Sequence, residues 1–382
     1  MATCAVLAWP EASTVVPTDG GHPQGDPAWA RAFLACAVAA TVAYAVGAWL
    51  VARRGASRRA VAVIAVAVQL VPLAAPLLLS TDAWTYWAYG RVAAVHHESP
   101  YREPPSSFPG DPALPWMGAD WQDRTSVYGP AFTLASEPVA LAVGDSHDAA
   151  AWAYKALAAA AALTAAFLAA RLARRPALAL ALAGWNPVLA IHAAGGGHND
   201  AWVGALVLAA LALAAAERRR LAGAAWALAA LIKWVPLVFL VLRGIEARAT
   251  GRRVSHVGFA AAAAAVAVVA TILWGLGWLG AFGPLAENVA ATTSYALPSR
   301  LGLPGWVGLV AFAAAFAWLA RQAARGRARL GLAAGLMLVT APYLTPWYLA
   351  WTVPLAAAEE DATARILAVA LSLYLVPQTI PT

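Results

Sequence analysis

At 382 residues, 62% hydrophobic and only 12% charged, the chain is too apolar for a soluble globular domain, where charged residues approach a quarter. A mean hydropathy of +0.65 and several apolar runs of bilayer-spanning length make it a polytopic all-α membrane protein. The net charge of +7 sits in short arginine blocks between those runs, the positive-inside pattern, so no nucleic-acid partner is implied.

The two cysteines, Cys4 and Cys36, exclude a disulfide framework and a cysteine metal site. The apolar start is short and lacks a basic leader, so no cleavable signal peptide is expected. Eighteen tryptophans suit anchoring at the membrane interface, with a few free to meet sugar rings.

Residues 1–28 are polar and rich in Pro, Gly and Asp, and read as a weakly ordered extramembrane segment. Residues 29–382 read as one integral membrane domain. A first span over about 29–51 ends at Arg53, Arg54, Arg58 and Arg59, which places that end in the cytoplasm and the N-terminus outside. A second span over about 60–79, with Pro72 and Pro76 as kink points, returns to the outer face. Residues 80–130 then form a large outer loop with an aromatic, amphipathic helix at its start.

Residues 130–143 are apolar but short, with Glu137-Pro138 in the middle. A full crossing would put Arg171, Arg174 and Arg175, at the end of the next helix (about 148–170), on the wrong side, so a re-entrant segment is expected. The span at about 176–193 leads out to Gly195-Gly196-Gly197-His198-Asn199-Asp200, and that at about 201–216 returns to Arg218-Arg219-Arg220. Residues 221–242 are flanked on both sides by arginines, including Arg243, Arg248, Arg252 and Arg253. A re-entrant hairpin turning near Lys233-Trp234-Val235-Pro236 satisfies both flanks; one full crossing that breaks the charge rule is the competitor.

A span at about 257–279 runs outward to a loop at 280–305 carrying Glu287, Asn288, Tyr295 and Arg300. The run at about 306–320 returns to Arg321, Arg325, Arg327 and Arg329. Residues 330–358 are too long for one span and break at Pro342-Tyr343-Leu344-Thr345-Pro346-Trp347-Tyr348, which gives two short helices with an outer apex. A last helix covers about 364–377, for about ten spans in all plus re-entrant segments. Placed by arginines alone, the polar motifs gather on one face, which makes that outer face the expected active-site side.

Several residues there have two readings. Asp82, after Ser80-Thr81, is either the N-cap of the loop helix or a general base in a partly desolvated cleft that raises its pKa. Asn199 or Asp200 caps the next helix or, with His198, bonds sugar hydroxyls; a lone His and Asp are a weak metal signal. Lys155, Arg300 and Arg91 break the positive-inside rule and are candidates for a phosphate partner, against the plainer reading of Lys155 as a snorkelling lysine. His96 and His97 point to different faces and read as solvated or hydrogen-bonded. Nothing matches a nucleotide-binding loop, a nucleophile elbow or a metalloprotease helix, so a nucleotide-sugar donor is not supported and neither metal nor cofactor is expected. A lipid or sugar transporter would place its polar groups at the midplane within an inverted repeat, and no repeat is evident.

Asp82 through Arg91, Ser99-Pro100-Tyr101, Trp121, and Ser126-Val127-Tyr128-Gly129-Pro130 form one ordered set of stretches. Trp185-Asn186-Pro187, Gly196-Gly197-His198-Asn199-Asp200, Lys233-Trp234-Val235-Pro236 and Pro346-Trp347-Tyr348-Leu349 continue it. The set resembles the C superfamily of glycosyltransferases (GT-C), most closely the actinobacterial polyprenol-phosphate-mannose-dependent α-1,6-mannosyltransferases of lipomannan assembly. Members usually have a longer chain with a span before the first one here, and Ser99 stands where Asn is common.

The resemblance implies a GT-C-like fold in the cell membrane. It implies a polyprenyl-phosphate-sugar donor and a glycan or glycolipid acceptor, with transfer of mannose by a single inverting displacement at the outer face. It implies Asp82 as general base, Lys155 or Arg300 as the cation facing the leaving phosphate, and Asn199 and Asp200 orienting sugar hydroxyls. Arg91, His198 and Tyr348 join them as substrate-binding candidates, and Trp87, Tyr128 and Trp347 as sugar-stacking rings.

Overall fold

The computed structural model describes residues 1–18, 25–252, 256–281 and 291–382; Arg253, Glu287 and Asn288 lie outside them. The described residues are mostly helical, and no β-strand occurs among them. Helix α1 (Pro27–Arg54) starts where Asp26 accepts the Ala28 N–H and Pro27 fills the first turn, and it stops at Gly55, whose φ of 72° no helix tolerates. Its 28 residues rise about 42 Å, more than a hydrocarbon core.

Helix α2 (Arg58–Leu70) is shorter than expected. Pro72 tightens its end into a 3₁₀ turn (Val71–Ala74), and the chain is irregular up to the loop helix α3 (Asp82–Ala94). A proline-broken helix end leaves carbonyls bare. Lys155, from α5 (His147–Leu172), donates to the carbonyls of Leu73, Ala75 and Pro76 and satisfies them.

Helix α3 corrects the amphipathic reading: Ala83 through Ala93 are buried without interruption. Its aromatics ring the whole circumference, and each side finds partners. Trp84 meets Trp116, Tyr86 meets Phe132 and Tyr154, and Tyr89 meets Tyr128. A helix apolar all round is a core helix rather than an interfacial one.

Helix α4 (Pro130–Val143) lies along α3 and ends beside it, where Arg91 bonds the Gly144 carbonyl. Helix α6 (Pro176–Gly184) breaks at Trp185-Asn186; Asn186 caps the next turn through the Val188 and Leu189 N–H groups, and the two halves bend by 50°. A π turn at Ile191–Gly195 carries the chain to α7 (Asp200–Ala215).

Helices α8 (Arg219–Ile232) and α9 (Pro236–Ala249) form the arms of the expected hairpin. Lys233 is extended at the break, and Arg219 and Arg243 line one common cavity at the far end, so both feet are on the same side. Helices α10 (His256–Trp274), α11 (Gly305–Ala324), α12 (Leu330–Thr340), α13 (Leu349–Ala358) and α14 (Ala362–Leu375) complete the bundle, with α12 and α13 parted at 341–348.

Among the described residues four helices are long and apolar enough to cross a membrane, or five if the bent pair at α6 is one span. The other expected crossings fall on shorter apolar helices such as α7, α12 and α14, of 11 to 16 residues, which rise only about 17–24 Å.

The N-terminal segment departs from expectation. Trp9 donates to the Ala74 carbonyl at 2.9 Å, the Leu79 N–H donates to Val15 at 2.9 Å, and Thr14 bonds Pro381 at 3.3 Å. It is therefore tied to the bundle at both its own end and the C-terminus.

The junction of α4 with the hairpin leaves no room for a side chain. The Gly129 N–H donates to Ile232 at 3.0 Å, and a Cβ there would lie 2.0 Å from the Leu231 carbonyl oxygen. Gly129→Ala should therefore lower the thermal midpoint in detergent by a loss of about 1–3 kcal/mol. Gly244→Ala in α9, where a Cβ meets nothing, should leave the midpoint unchanged or raise it. Equal midpoints for Gly129→Ala and wild type would contradict this packing.

Candidate active site

A cavity of about 860 Å³ opens where the start of α3, the hairpin apex and the 341–348 turn meet. Asp82, Tyr128, Lys233, Trp347 and Tyr348 all line it. Thr14, Val15 and Pro17 from the N-terminal segment close one side, and Val238, Leu309, Phe312 and Met337 make an apolar wall.

Asp82 is the first residue of α3, and Thr81 holds the cap position. Ser80 Oγ accepts the Asp82 N–H at 3.2 Å, so the carboxylate is not spent on capping its own helix. It faces outward at 21% exposure, with the Tyr86 hydroxyl donating to Oδ2 at 3.3 Å and His198 Nδ1 at 3.1 Å. The His198 contact has ion-pair distance but lacks the alignment of a hydrogen bond. Burial by itself pushes the Asp82 carboxyl up, but His198, Lys233 and Ser80 together outweigh it and hold the group below the usual carboxylate range. The expected rise is thus reversed, because two basic groups close on the acid.

Of the three glycines before His198, Gly197 serves helix contact, while Gly195 abuts Leu78 and Gly196 abuts His198 itself. At Gly197, φ is 72° and a Cβ would lie 3.3 Å from both Ala83 Cβ and Lys155 N. This brings α3, α5 and the 195–200 turn together and sets His198 against Asp82. The His198 ring stacks on Trp347 with centroids 3.9 Å apart and planes 11° from parallel. Asn199 holds the cap position of α7, but its side chain makes no cap bond; both its amide atoms are buried without a partner. His192, from the π turn, adds a buried ring 5.8 Å from His198.

Asp200 is buried to 1% side-chain exposure, and both its oxygens lie 2.9 Å from Lys233 Nζ. Tyr348 and Trp351, mutually stacked at 4.5 Å, flank the same ammonium at 5.1 and 5.8 Å. Asp200 therefore holds a cation rather than facing the cavity.

The other expected cations are elsewhere. Lys155 is buried on the carbonyls described above. Arg91 bonds Asp111 through Nε at 2.9–3.0 Å, reaches Gly144 and Asp145, and covers Trp87 at 5.5 Å. Trp87 has no exposed surface and cannot stack on a ligand. Arg300 lies at the surface beside Gln378, 3.5 Å away. None of the three cations lines the cavity. His96 bonds Asp111 at 2.6 Å and stacks on Phe108.

The cavity's cation is Lys233. Its signal was present in the sequence as the single charge in an apolar run between two arginine blocks. Among the described residues no group of three or more His, Cys, Asp and Glu side chains converges in a way that could hold a metal ion.

Residues 2–248 match the family model described as alpha-(1->6)-mannopyranosyltransferase, N-terminal domain, and residues 127–377 match that of glycosyltransferase family 87. Alpha-(1->6)-mannopyranosyltransferase A of Corynebacterium glutamicum is 33% identical over 155 residues, 39% of this chain and 31% of the relative. A probable alpha-(1->6)-mannopyranosyltransferase of Mycolicibacterium smegmatis is 25% identical across 75% of this chain and 62% of its own. Alpha-(1->6)-mannopyranosyltransferase A of Mycobacterium tuberculosis is 28% identical across 78% of this chain and 65% of its own. The matched region thus spans less than two thirds of each of these relatives. No solved structure matches.

Removing Lys233 strands a buried carboxylate. Lys233→Met should destabilise the detergent-solubilised protein by about 3 kcal/mol, and adding Asp200→Asn should recover much of that loss. A Lys233→Met protein as stable as wild type would show the pair to be dispensable.

Proposed function

The chain belongs to the alpha-(1->6)-mannopyranosyltransferase family, and on that premise we propose that it transfers mannose from a polyprenyl-phosphate-mannose donor to a glycan or glycolipid acceptor at the outer membrane face. The observation that carries this reading is a carboxylate and an ammonium on one cavity with an apolar wall. Asp82 and Lys233 line it together with Val238, Leu309 and Phe312. A lipid-phosphate sugar has matching parts: an anion for Lys233, a sugar for the polar floor, and an isoprenoid tail for the wall.

The reaction is a single displacement. Asp82 takes the proton of an acceptor hydroxyl, whose oxygen attacks the anomeric carbon of the β-linked mannosyl group. The bond from that carbon to the phosphate oxygen breaks, polyprenyl phosphate leaves, and the new linkage is α. Lys233 has three N–H donors, and Asp200 engages it through two oxygens. The donor left over is suited to the charge gathering on the departing phosphate. This role replaces that expected for Lys155 or Arg300. Trp347 and Tyr128 offer ring faces and edges to the sugar, and Trp347 fixes His198 behind Asp82.

The depressed pKa keeps Asp82 ionised at neutral pH, in the state that accepts a proton. Activity governed by Asp82 should hold down to about pH 4, near the ordinary aspartate value. His198→Gln removes a lowering influence, so the acid limb of the kcat/KM profile should move up. A limb near neutrality in wild type, or one unmoved by His198→Gln, would contradict the assignment.

The direct test is transfer from labelled polyprenyl-phosphate mannose to a mannan-like acceptor in membranes holding equal amounts of protein. Asp82→Asn keeps the size and loses the base, and should fall by at least about a hundredfold. Equal transfer by both proteins would remove Asp82 from the chemistry. No transfer of any lipid-linked sugar by wild type would favour a lipid or sugar transporter.

A further inference from the structure

A second cavity, of about 1110 Å³, lies at the other end of the bundle and is not used by the chemistry above. Helices α5, α7, α9 and α13 end on it, and α8, α10 and α12 begin on it. From Arg219 to Ile232, α8 rises about 20 Å, so the two cavities lie at opposite ends of the hairpin arms.

Its lining is divided. Leu172, Leu211, Trp226, Leu240 and Phe259 form an apolar floor, and Trp226 is 4% exposed. Arg219, Arg243 and Arg252 stand on the rim with His256. The carboxylates nearby are engaged. Glu217 takes Arg219 through Nε at 2.8 Å. Glu246 pairs with Arg243 and also accepts the Ala328 N–H at 3.1 Å. Glu359 receives the N–H groups of Leu330 and Gly331 at 2.6 and 2.9 Å. Burial pushes its carboxyl up to about 7, so at neutral pH it only partly offsets the arginines. A guanidinium has five donors, and one carboxylate leaves several unused.

A cationic rim over an apolar floor, at the end of a membrane bundle that carries the arginine blocks, suits an amphiphile with a phosphate head. We propose that this cavity holds the phosphate-bearing headgroup of an anionic membrane lipid, with Arg243 and Arg252 on the phosphate and the acyl chains on Leu172, Leu211 and Phe259. The site is independent of the transfer reaction, and a lipid held there braces the feet of the hairpin whose apex presents Lys233.

The test uses the full chain in nanodiscs of phosphatidylglycerol and phosphatidylcholine in equal amounts, with retained lipid read by native mass spectrometry. Wild type should retain phosphatidylglycerol over phosphatidylcholine. Arg252→Gln, at an exposed position three residues past the end of α9, should weaken retention about fivefold, and Arg243→Gln with Arg252→Gln about twentyfold. Among the described residues Arg252 makes no ion pair, and an unchanged thermal midpoint for the single variant separates a lost lipid contact from unfolding.

Asp82→Asn should retain phosphatidylglycerol as wild type does, because that residue lines the other cavity. Equal retention of both lipids, or full retention by the double variant, would overturn the proposal. Loss of retention in Asp82→Asn would move the lipid to the first cavity and overturn it too. Displacement of the lipid by millimolar inorganic phosphate would assign the rim to a free anion and overturn the lipid assignment.

Discussion

A carboxylate buried among apolar helices requires a cation, and Asp200 obtains one from Lys233. That single requirement explains why a run of α-helix breaks where it does. Lys233 leaves the helix in an extended conformation, Pro236 restarts it, and the ammonium reaches the first residue of α7. The apex of the hairpin is thereby fixed against the 195–200 turn. Gly129 abuts the same apex, so the end of the 80–130 loop is held by it as well. Tyr348 and Trp351 cover the cation from α13 and its preceding turn, which brings the fourth wall of the cavity into register.

Charge in the cavity follows from this arrangement. Lys233 is neutralised on one side by Asp200, and Asp82 is held down by His198 and Lys233 on the other. The result is an acid held below the usual carboxylate range and a paired ammonium on one cavity that also has an apolar wall. A site of this kind favours a substrate that carries its own phosphate and its own hydrocarbon. In the proposed reaction, proton acceptance at Asp82 and charge stabilisation at Lys233 fall on elements held by different contacts. His198 is kept against the acid by stacking on Trp347 and by the close glycine contacts with α3 and α5.

Much of this was legible in the sequence. Arginine blocks on both flanks of 221–242 point to a turn near Lys233, and the chain does break there between α8 and α9, because charge placement is a global constraint that a short apolar run must obey. Prolines mark the break at 342–348; at Pro72 and Pro76 they suggest a kink in a span reaching 79, where the helix in fact ends at Leu70. Asp82, Tyr128, Trp347 and Tyr348, singled out by their motifs, do meet in one cavity.

The misses share a cause: a charged residue in an apolar run states that a partner exists but not which one. Lys155 reads in the sequence as a phosphate partner or a snorkelling lysine, yet it answers the carbonyls of Leu73, Ala75 and Pro76 about 80 residues earlier. Arg91 answers Asp111, and Lys233, which the sequence places at a turn, answers Asp200. The loop helix misled for a related reason. An all-round aromatic pattern fits an interfacial helix or a buried one, and only its neighbours decide.

In the proposed reaction one cavity receives the lipid phosphate at Lys233 and the sugar at Asp82. The most direct measurement is a structure of the protein in lipid with polyprenyl-phosphate mannose bound to the Asp82→Asn variant. The account predicts the phosphate within hydrogen-bond distance of Lys233 Nζ. It predicts the mannosyl ring between position 82 and Trp347, and the isoprenoid chain along Leu309 and Phe312. A donor phosphate bound instead at Arg300, or at the arginine rim on the opposite end of the bundle, would contradict it.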